Sequence, residues 1–516
     1  MKPAASPSLP SRHYWSPRLY LRGFGALMTC VYLSQLSQIS LLIGPNGLLP
    51  AGIYLDRLRD AGLNPFMDAP SLFWWTGTSD FAIHLVVCMG LAASLCLLAG
   101  RLTHLALAVH LACYLSVVTA GQRFFTFQWD NLVLEATFLS FLLPSIRSGK
   151  EANRLVIFLF RFFLFRLLFE SGVAKLQGGT SSWHEWIAMD HYYETAPIPT
   201  ILGWWAHQLP HGFHRFEQWM TYVAELAVPL LLFGPAVARR LAFVLSVGLQ
   251  AVIVATANYG SFNYQSALLC LFILDDRDWR WTRKLVTRAL PLLSMLWPHA
   301  PRTATIRRGI RRMAVMAGAS VMMLAGLQSN LRFVSRGIEA MHEKIPVLPE
   351  TFGSFLRSWR VVNNYHLFAD VTLTRPTTEI EIQTAGDGWY PVSFRHQATR
   401  PDWRPEFLAP HHPRIPFQHW FLALGARPPV SEPWFAYLLE KICLDPDRVA
   451  PVFDTLHLAP GERPRALRIH VRDYRMTTPP ERSATGNYWK RTSAGTPTLV
   501  SCSFFRSERW EKMRGK

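Results

Sequence analysis

One apolar stretch of the sequence, residues 155–176, contains four ionisable side chains: Arg161, Arg166, Glu170 and Lys175. Ionisable residues inside a membrane-length apolar run are costly, so each is a candidate for function. On a helix, Arg166 and Glu170 share a face and can pair, because they are four residues apart. Arg161 and Lys175 project from roughly the opposite side. A lysine in an apolar pocket can serve as a base, so this stretch predicts either structural ion pairing or base chemistry at Lys175.

Acidic residues in two other apolar runs offer partners for these cations. The run 127–144 contains Asp130 and Glu135, and the run 218–237 contains Glu225. A buried charge is tolerated when it is paired and hydrogen-bonded. We therefore predict an intramembrane polar network in which Asp130 and Glu135 pair with the arginines. The alternative is that these acids take up protons beside a bound ligand.

The segment 177–217 is rich in histidine, tryptophan and tyrosine. Its candidate site residues are His191, Tyr192 and Glu194. Three histidines have i, i+4, i+7 spacing: His207, His211 and His214. On a helix this spacing could bind a metal, but Pro210 and Gly212 interrupt a helix there. We therefore predict no metal site and favour an aromatic belt at the membrane interface.

Long apolar runs must position these residues. A helix needs about 20 mostly apolar residues to cross a bilayer. Nine stretches fit approximately: 22–43, 79–99, 102–120, 127–144, 155–176, 218–237, 240–257, 260–275 and 309–328. The fourth and eighth are short and polar at one end, so either could be re-entrant. The first is too long, and followed by too poor a cleavage site, for a signal peptide. The predicted fold is a membrane all-α bundle of about nine transmembrane helices over residues 22–328.

The distribution of basic residues predicts the orientation. The chain has a formal net charge of +18, and with nine spans every basic cluster falls on one side, which is the cytoplasmic side. This places residues 1–21 and the basic loop 276–308 in the cytoplasm. The segment 177–217 and the C-terminal domain then lie in the periplasm or lumen. Within the basic loop, Leu285–Trp297 could form a surface-lying helix, whereas a true tenth span there would move the C-terminal domain to the cytoplasm.

Residues 340–516 have the polar composition of an ordinary soluble domain. We predict that they form a β-rich, sandwich-like domain with inserted helices. Strands are predicted where apolar and polar residues alternate: Val371–Thr374, Ile380–Gln383, Tyr390–Phe394 and Leu467–Arg475. Gly386–Gly388 predicts a hairpin between the second and third of these. Short helices are predicted at Trp434–Cys443 and Val449–Leu456.

Several function classes are excluded or left open by the motifs. No nucleic-acid-binding motif accompanies the positive charge, and no nucleophile elbow, P-loop or zinc-protease motif occurs. Five of the seven cysteines lie in apolar runs, and no Cys-x-x-Cys is present. Cys443 and Cys502 lie in the soluble part, where they could pair in an oxidising compartment or remain two free thiols.

Several stretches resemble the lipase maturation factor family. In the apolar half they are Gly121–Glu135 (GQRFFTFQWDNLVLE), Phe165–Lys175 (FRLLFESGVAK), Asp190–Pro197 (DHYYETAP) and Asn258–Asn263 (NYGSFN). In the soluble part they are Val362–Phe368 (VNNYHLF), Arg404–Pro405, Ala409–Arg414 (APHHPR) and Trp420–Trp434. The resemblance covers nearly the whole chain.

This resemblance implies a function and a location. The family's animal members are endoplasmic reticulum membrane proteins that help secreted dimeric lipases reach their active fold. It implies a multi-pass, chaperone-like maturation factor whose partners are an exported lipase, or another secreted client, and membrane lipid. The short N-terminus and the ending Met513–Lys516, which is no retention signal, predict a bacterial inner-membrane member. This reading requires no cofactor and no catalysed reaction.

A shorter run, Ser171–Leu176 followed by Trp183, resembles the membrane domain of vitamin K-dependent γ-carboxylase. In that enzyme two lysines follow Gly-Val, and the second deprotonates the reduced quinone. Lys175 matches the second lysine, whereas Ala174 replaces the first. The resemblance implies an alternative function, a membrane enzyme that acts on a quinone or another lipid-soluble substrate with Lys175 as its base.

Overall fold

The computed structural model describes most of the chain. The described residues are 13–179, 181–280, 310–337, 345, 349–384, 386, 388–425, 427–459, 461–492 and 495–514. The surface helix predicted at Leu285–Trp297 lies outside them.

The nine apolar runs form the main helices of the N-terminal part. They are α1 (Trp15–Leu36), α2 (Asp80–Leu98), α3 (Thr103–Ala120), α4 (Gln128–Ser140), α5 (Arg154–Gln177), α6 (His211–Tyr222), α7 (Ala236–Thr256), α8 (Phe262–Cys270) and α9 (Ile310–Val334). Shorter helices connect them: Ile39–Ile43, Ala51–Asp60, Phe73–Thr76, Ser181–His184, Ala188–Thr195 and Ile201–His207. Helix α5 contacts α4, α8, α9 and the turns Val223–Ala227 and Val228–Leu231 that follow α6, so it lies at the centre of the bundle.

Among the described residues, four helices are long and apolar enough to cross a membrane: α2, α3, α7 and the part of α9 from Met313 to Val334. The prediction of about nine transmembrane helices is therefore confirmed only as a helical bundle with four candidate spans. Helix α4 has 13 residues, about 20 Å at 1.5 Å per residue, which is short of the roughly 30 Å hydrocarbon layer. Helix α5 is long, but its four internal charges interrupt its apolar surface.

Helix α6 continues into a π-helical turn. The α-helix ends at Tyr222, the π turn covers Val223–Ala227, and a last α-helical turn follows at Val228–Leu231. A π turn inserts one extra residue and widens the helix locally, and such turns are frequent at functional sites. Glu225 lies within this turn.

The C-terminal part contains one antiparallel sheet with helices around it. Its strands are β1 (Arg375–Gln383), β2 (Trp389–Phe394), β3 (Phe453–Thr455), β4 (Ala466–Met476), β5 (Trp489–Arg491) and β6 (Thr498–Ser501). The order is β3-β2-β1-β4-β5, and β6 also pairs with β4. The longer helices are α10 (Glu350–Ser358), α11 (Arg414–Leu422) and α12 (Pro433–Leu444), and the shorter ones are Pro446–Val449, Pro479–Thr485 and Glu508–Arg514.

Most sequence predictions for this part are confirmed. The β1–β2 hairpin pairs Ile380 with Val392, and β4 and α12 lie where they were predicted. Two predictions are wrong. Val371–Thr374 is irregular and precedes β1, and the second half of Val449–Leu456 is strand β3. The described residues form a single sheet, so the sandwich-like arrangement is not seen among them.

A continuous apolar core joins the bundle to the sheet region. At the boundary, the Phe127 ring lies 5.1 Å from that of Phe417, and the Phe124 ring lies 5.8 Å from that of Trp434. Cys443 and Cys502 form a disulfide that ties α12 to the chain after β6. The two parts therefore pack as one unit, and charged residues lie at their junction.

Candidate functional site

Arg166 lies at the centre of a buried charge cluster. Its Nη1 donates to Glu135 Oε1 at 2.6 Å, and its Nε lies 3.4 Å from Glu170 Oε1. All three side chains are at most 3% exposed. Two carboxylates thus share one guanidinium, which satisfies the requirement that buried charges be paired and hydrogen-bonded.

The remaining hydrogen bonds of this cluster hold a segment of the C-terminal part. Glu135 Oε2 accepts from the Asn363 amide at 2.8 Å and from the Tyr365 hydroxyl at 2.9 Å. Glu170 Oε2 accepts from the Tyr365 amide at 2.8 Å, and Arg166 donates to the Asn363 carbonyl. The charges of the bundle therefore fix the backbone of the segment that leads into the sheet.

Lys175 forms a second, separate pair. Its Nζ donates to Glu225 Oε2 at 2.7 Å, to the Leu367 carbonyl at 3.0 Å and to the Ser171 carbonyl at 3.4 Å. These are three acceptors for the three donors of an ammonium group. This geometry anchors Lys175 as a cation beside the same C-terminal segment that the Arg166 cluster holds.

Asp130 does not pair with α5, contrary to the prediction. Its two carboxylate oxygens instead receive a bidentate pair from Arg414, at 2.7 and 2.8 Å. The Tyr114 hydroxyl adds a third donor at 2.7 Å. Arg414 lies 284 residues further along the chain, at the start of α11. Nothing in the apolar runs indicated it, although it ends the family-like stretch Ala409–Arg414.

Arg161 lies apart from the predicted network. Its guanidinium donates to the Phe272 carbonyl at 2.8 Å and to the Ile273 carbonyl at 3.3 Å. It therefore satisfies the backbone of the turn after α8. The predicted network is consequently divided into three separate clusters, around Arg166, Lys175 and Asp130, and Arg161 belongs to none of them.

The three outer-loop candidates lie on or near the helix Ala188–Thr195. Glu194 is buried and accepts from the Met476 amide of β4 at 2.7 Å, and burial raises the pKa of its carboxyl above the ordinary value. Burial lowers the pKa of His191. The Tyr192 ring packs edge-on against Phe368, 5.6 Å between centroids. These side chains connect the bundle to the C-terminal part.

Each of the three spaced histidines faces a carboxylate. His207 lies 3.5 Å from Glu194, His211 2.8 Å from Asp190 and His214 2.8 Å from Glu217. Burial would lower the pKa of His214, but its hydrogen bond to Glu217 raises that pKa above the ordinary value. In the described part of the chain no group of three or more metal-ligating side chains comes together.

Two further contacts join the bundle to the C-terminal part. The buried Arg375 donates to the Glu194 carbonyl at 3.1 Å and to the Pro197 carbonyl at 3.0 Å. The Asn258 carboxamide accepts from the amides of Leu408 and Ala409 at 2.7 and 3.0 Å. Both contacts involve family-like stretches, which is the only sequence signal that could have indicated them.

A cleft of about 450 Å³ opens between the bundle and the C-terminal part. Aromatic side chains dominate its wall: Phe127, Trp129, Tyr192, Tyr259, Phe262, Phe368, Phe417, Trp420 and Phe421. The indole N–H groups of Trp129 and Trp420 find no acceptor among the described residues. Five of the family-like stretches, from both parts of the chain, meet at this cleft.

The apolar helices and the charged junction define a multi-pass helical membrane protein with a docked antiparallel β-sheet domain. Residues 15–281 match the model of the Lipase maturation factor transmembrane domain, and residues 361–498 match that of the Lipase maturation factor C-terminal domain. The chain belongs to the lipase maturation factor family.

Individual relatives match over most of their length. Lipase maturation factor 2 of Gallus gallus is 30% identical over 93% of this chain and 82% of its own. Lipase maturation factor 1 of Homo sapiens is 26% identical over 98% of this chain and 93% of its own. No solved structure matches the chain.

Proposed function

We propose that this protein is a membrane-bound maturation factor that acts on exported proteins, lipases in particular. Relatives that match it nearly from end to end carry the name lipase maturation factor. The single observation that carries the proposal is the cleft at the junction, where family-like stretches from both parts of the chain converge. On this proposal the protein needs no cofactor.

The lining of the cleft suits a partly folded client. The aromatic walls can bury apolar side chains that a client has not yet packed into its own core. Phe421 is 42% exposed at the cleft. The buried ion pairs around Arg166 and Arg414 fix the positions of the two walls of the cleft. The cleft is therefore preorganised before a client binds.

We further propose that the C-terminal domain lies in the periplasm or an equivalent lumen, with the N-terminus in the cytoplasm and the bundle in a bacterial inner membrane. The basic clusters support this orientation. The disulfide of the C-terminal part agrees with an oxidising compartment, and the five free cysteines all lie in the bundle. Reporter fusions after residue 450 test it, since alkaline phosphatase activity is expected there and activity of a cytoplasmic reporter would contradict it.

Deletion and complementation test the function. In the host that encodes the chain, deletion is expected to lower the specific activity of secreted lipase while its mRNA level stays the same. Normal activity and abundance of every exported lipase in the deletion strain would contradict the proposal. Complementation with Trp420→Ala/Phe421→Ala is expected to fail. Phe407→Ala is the matched control, because Phe407 is 55% exposed in the same domain and does not line the cleft.

A second candidate function is an enzyme in which Lys175 deprotonates a reduced quinone or another lipid-soluble substrate that bears a hydroxyl group. The observation that favours it is the apolar cavity against which Lys175 lies. Lys175 would first have to pass a proton to Glu225, 2.7 Å away, before it could accept one from a substrate hydroxyl. Two measurements test this function: whether quinone co-purifies with the protein, and whether the purified protein turns over the added substrate. Lys175→Arg retains the charge but not the base, so unchanged turnover in this variant would contradict the enzyme.

A further inference from the structure

A cavity of about 470 Å³ lies between α6 and α7. The Lys175–Glu225 pair forms part of its inner wall. Apolar side chains make up most of the rest, among them Phe213, Phe216, Met220, Val244, Leu249 and Val252. The cavity shares Tyr192 and Phe368 with the junction cleft, and all its other lining residues belong to the N-terminal bundle.

Two local features create the cavity. The π turn at Val223–Ala227 widens α6 on this side. Opposite it, α7 presents Gly248, and a Cβ atom built there would have no neighbour within 4 Å. A larger residue would fit at this position without a clash. The open volume therefore results from the sequence of the two helices and does not arise from loose packing at a chain end.

The cavity opens towards the bilayer. Helix α7 is a candidate span, and only 17% of the residues in its apolar stretch are buried in the protein. Three lining residues are exposed on this flank: Phe216 (55%), Val244 (63%) and Val252 (54%). At the depth of a spanning helix the surrounding medium is hydrocarbon. The material next to the mouth is therefore acyl chain, and an apolar cavity does not retain water.

The shape of the cavity selects its occupant. Along α7 the lining runs from Val244 to Thr256, about 18 Å at 1.5 Å per residue. An elongated space with an apolar lining of this kind suits an extended hydrocarbon chain. Tyr193, Glu217 and Thr256 supply polar groups at one end.

We propose that this cavity binds one acyl chain of a membrane phospholipid. The chain lies between α6 and α7, and its ester end meets the polar rim formed by Tyr193, Glu217 and Thr256. Lys175 pairs with Glu225 on the inner wall, so no unpaired cation lies there to select a free anion. The site is independent of the client that the protein serves.

Photolabelling tests the site. The full chain is reconstituted in phosphatidylcholine vesicles that contain a phosphatidylcholine with a diazirine on its acyl chain, and labelled peptides are located by mass spectrometry. Labelling is expected to concentrate on residues 213–228 and 244–256. Gly248→Phe fills the cavity and is expected to reduce this labelling at least fivefold. Leu241→Phe is the matched control, because Leu241 is 52% exposed on α7 and does not line the cavity.

Three results would overturn the proposal. The first is equal labelling along all lipid-facing helices, which is what ordinary surrounding lipid would give. The second is undiminished cavity labelling in Gly248→Phe, with Val252→Trp as the replacement variant if Gly248→Phe is not recovered as a monodisperse protein. The third is labelling that a small mole fraction of ubiquinone displaces while the same amount of unlabelled phosphatidylcholine does not, which would assign the cavity to a quinone.

Discussion

Helix α5 carries two buried charge clusters whose surroundings differ. Around Arg166, two carboxylates pair with the guanidinium, and the backbone amides of Asn363 and Tyr365 donate to these carboxylates. The three charged side chains are enclosed by protein. Around Lys175 the pairing is one to one, and an open apolar cavity borders the pair. At both sites, charged groups are removed from water, which costs free energy unless they are paired. The first cluster uses the charges to hold the C-terminal part, whereas the second leaves room for another molecule.

Removing the cation of the closed cluster is expected to have the largest effect. Arg166→Met leaves Glu135 and Glu170 buried without a counter-charge, which costs about 3 to 5 kcal/mol of folding free energy. The measurement is the thermal midpoint of the detergent-purified protein, followed by the yield of monodisperse protein in size-exclusion chromatography.

Two controls separate charge from packing at Arg166. Arg59→Met removes an exposed arginine that pairs with Asp56 and is expected to leave the midpoint unchanged, because such pairs contribute about 0 to 1 kcal/mol. Adding Glu135→Gln and Glu170→Gln to Arg166→Met is expected to recover part of the loss. A single variant as stable as the wild type would show that the cluster does not hold the junction.

The ion pair between Arg414 and Asp130 extends the comparison of the charge clusters, because it joins the C-terminal part directly to the bundle. Arg414→Met removes the bidentate partner of Asp130 and leaves one buried carboxylate. We expect a loss of about 3 kcal/mol and faster proteolysis between the bundle and the sheet, measured by limited trypsin digestion. Arg448→Met is the control, since Arg448 forms an exposed pair with Asp445. Equal digestion rates for all three proteins would contradict this role for Arg414.

At the open cluster the same kind of change is expected to cost less. Lys175→Met leaves only Glu225 without its partner, and Glu225 borders the cavity. We therefore expect a loss of about 2 kcal/mol in the free energy of unfolding. Lys175→Met with Glu225→Gln is expected to return most of it. The comparison between the two clusters would fail if Lys175→Met lowered the thermal midpoint as much as Arg166→Met does.

The sequence was sufficient to locate the helices but not the partners of their charges. Apolar runs fix where helices form, and the i, i+4 spacing brings Arg166 close to Glu170. It does not show that Asp130 meets Arg414, because that contact joins residues 284 positions apart. The span count is confirmed only to four candidate spans among the described residues, for a related reason. Helices α4 and α8 are apolar because protein covers them, and periodicity cannot distinguish a helix buried in protein from one exposed to lipid.

Strand prediction failed where tertiary contacts decided the conformation. Val371–Thr374 alternates like a strand, but it leads out of the segment that Arg166 and Lys175 hold, and pairing begins only at Arg375. Phe453–Thr455 pairs with β2 although its surroundings have the composition of a short helix. Alternation within four residues is weak evidence, and the neighbouring chain determined both outcomes.

Neutral buried histidines of the C-terminal part are expected to give the smallest effect, which depends on pH. Burial lowers the pKa of His419 to about 3 and that of His412 well below its ordinary value. An unfolded histidine takes up a proton below about pH 6.5, whereas these two stay neutral in the folded protein. Their contribution to stability is therefore complete above pH 6.5 and decreases as the pH falls towards the folded pKa.

We expect His419 to make the folded state about 1.4 kcal/mol less stable at pH 5.5 than at pH 7.5. Thermal midpoints at the two pH values measure this difference, and His419→Gln is expected to reduce it. His184→Gln, at an exposed position, is the matched control and should leave the difference unchanged. A pH dependence that is identical in all three proteins would show that His419 can be protonated without unfolding, and the interior around His419 would then not exclude an unpaired charge.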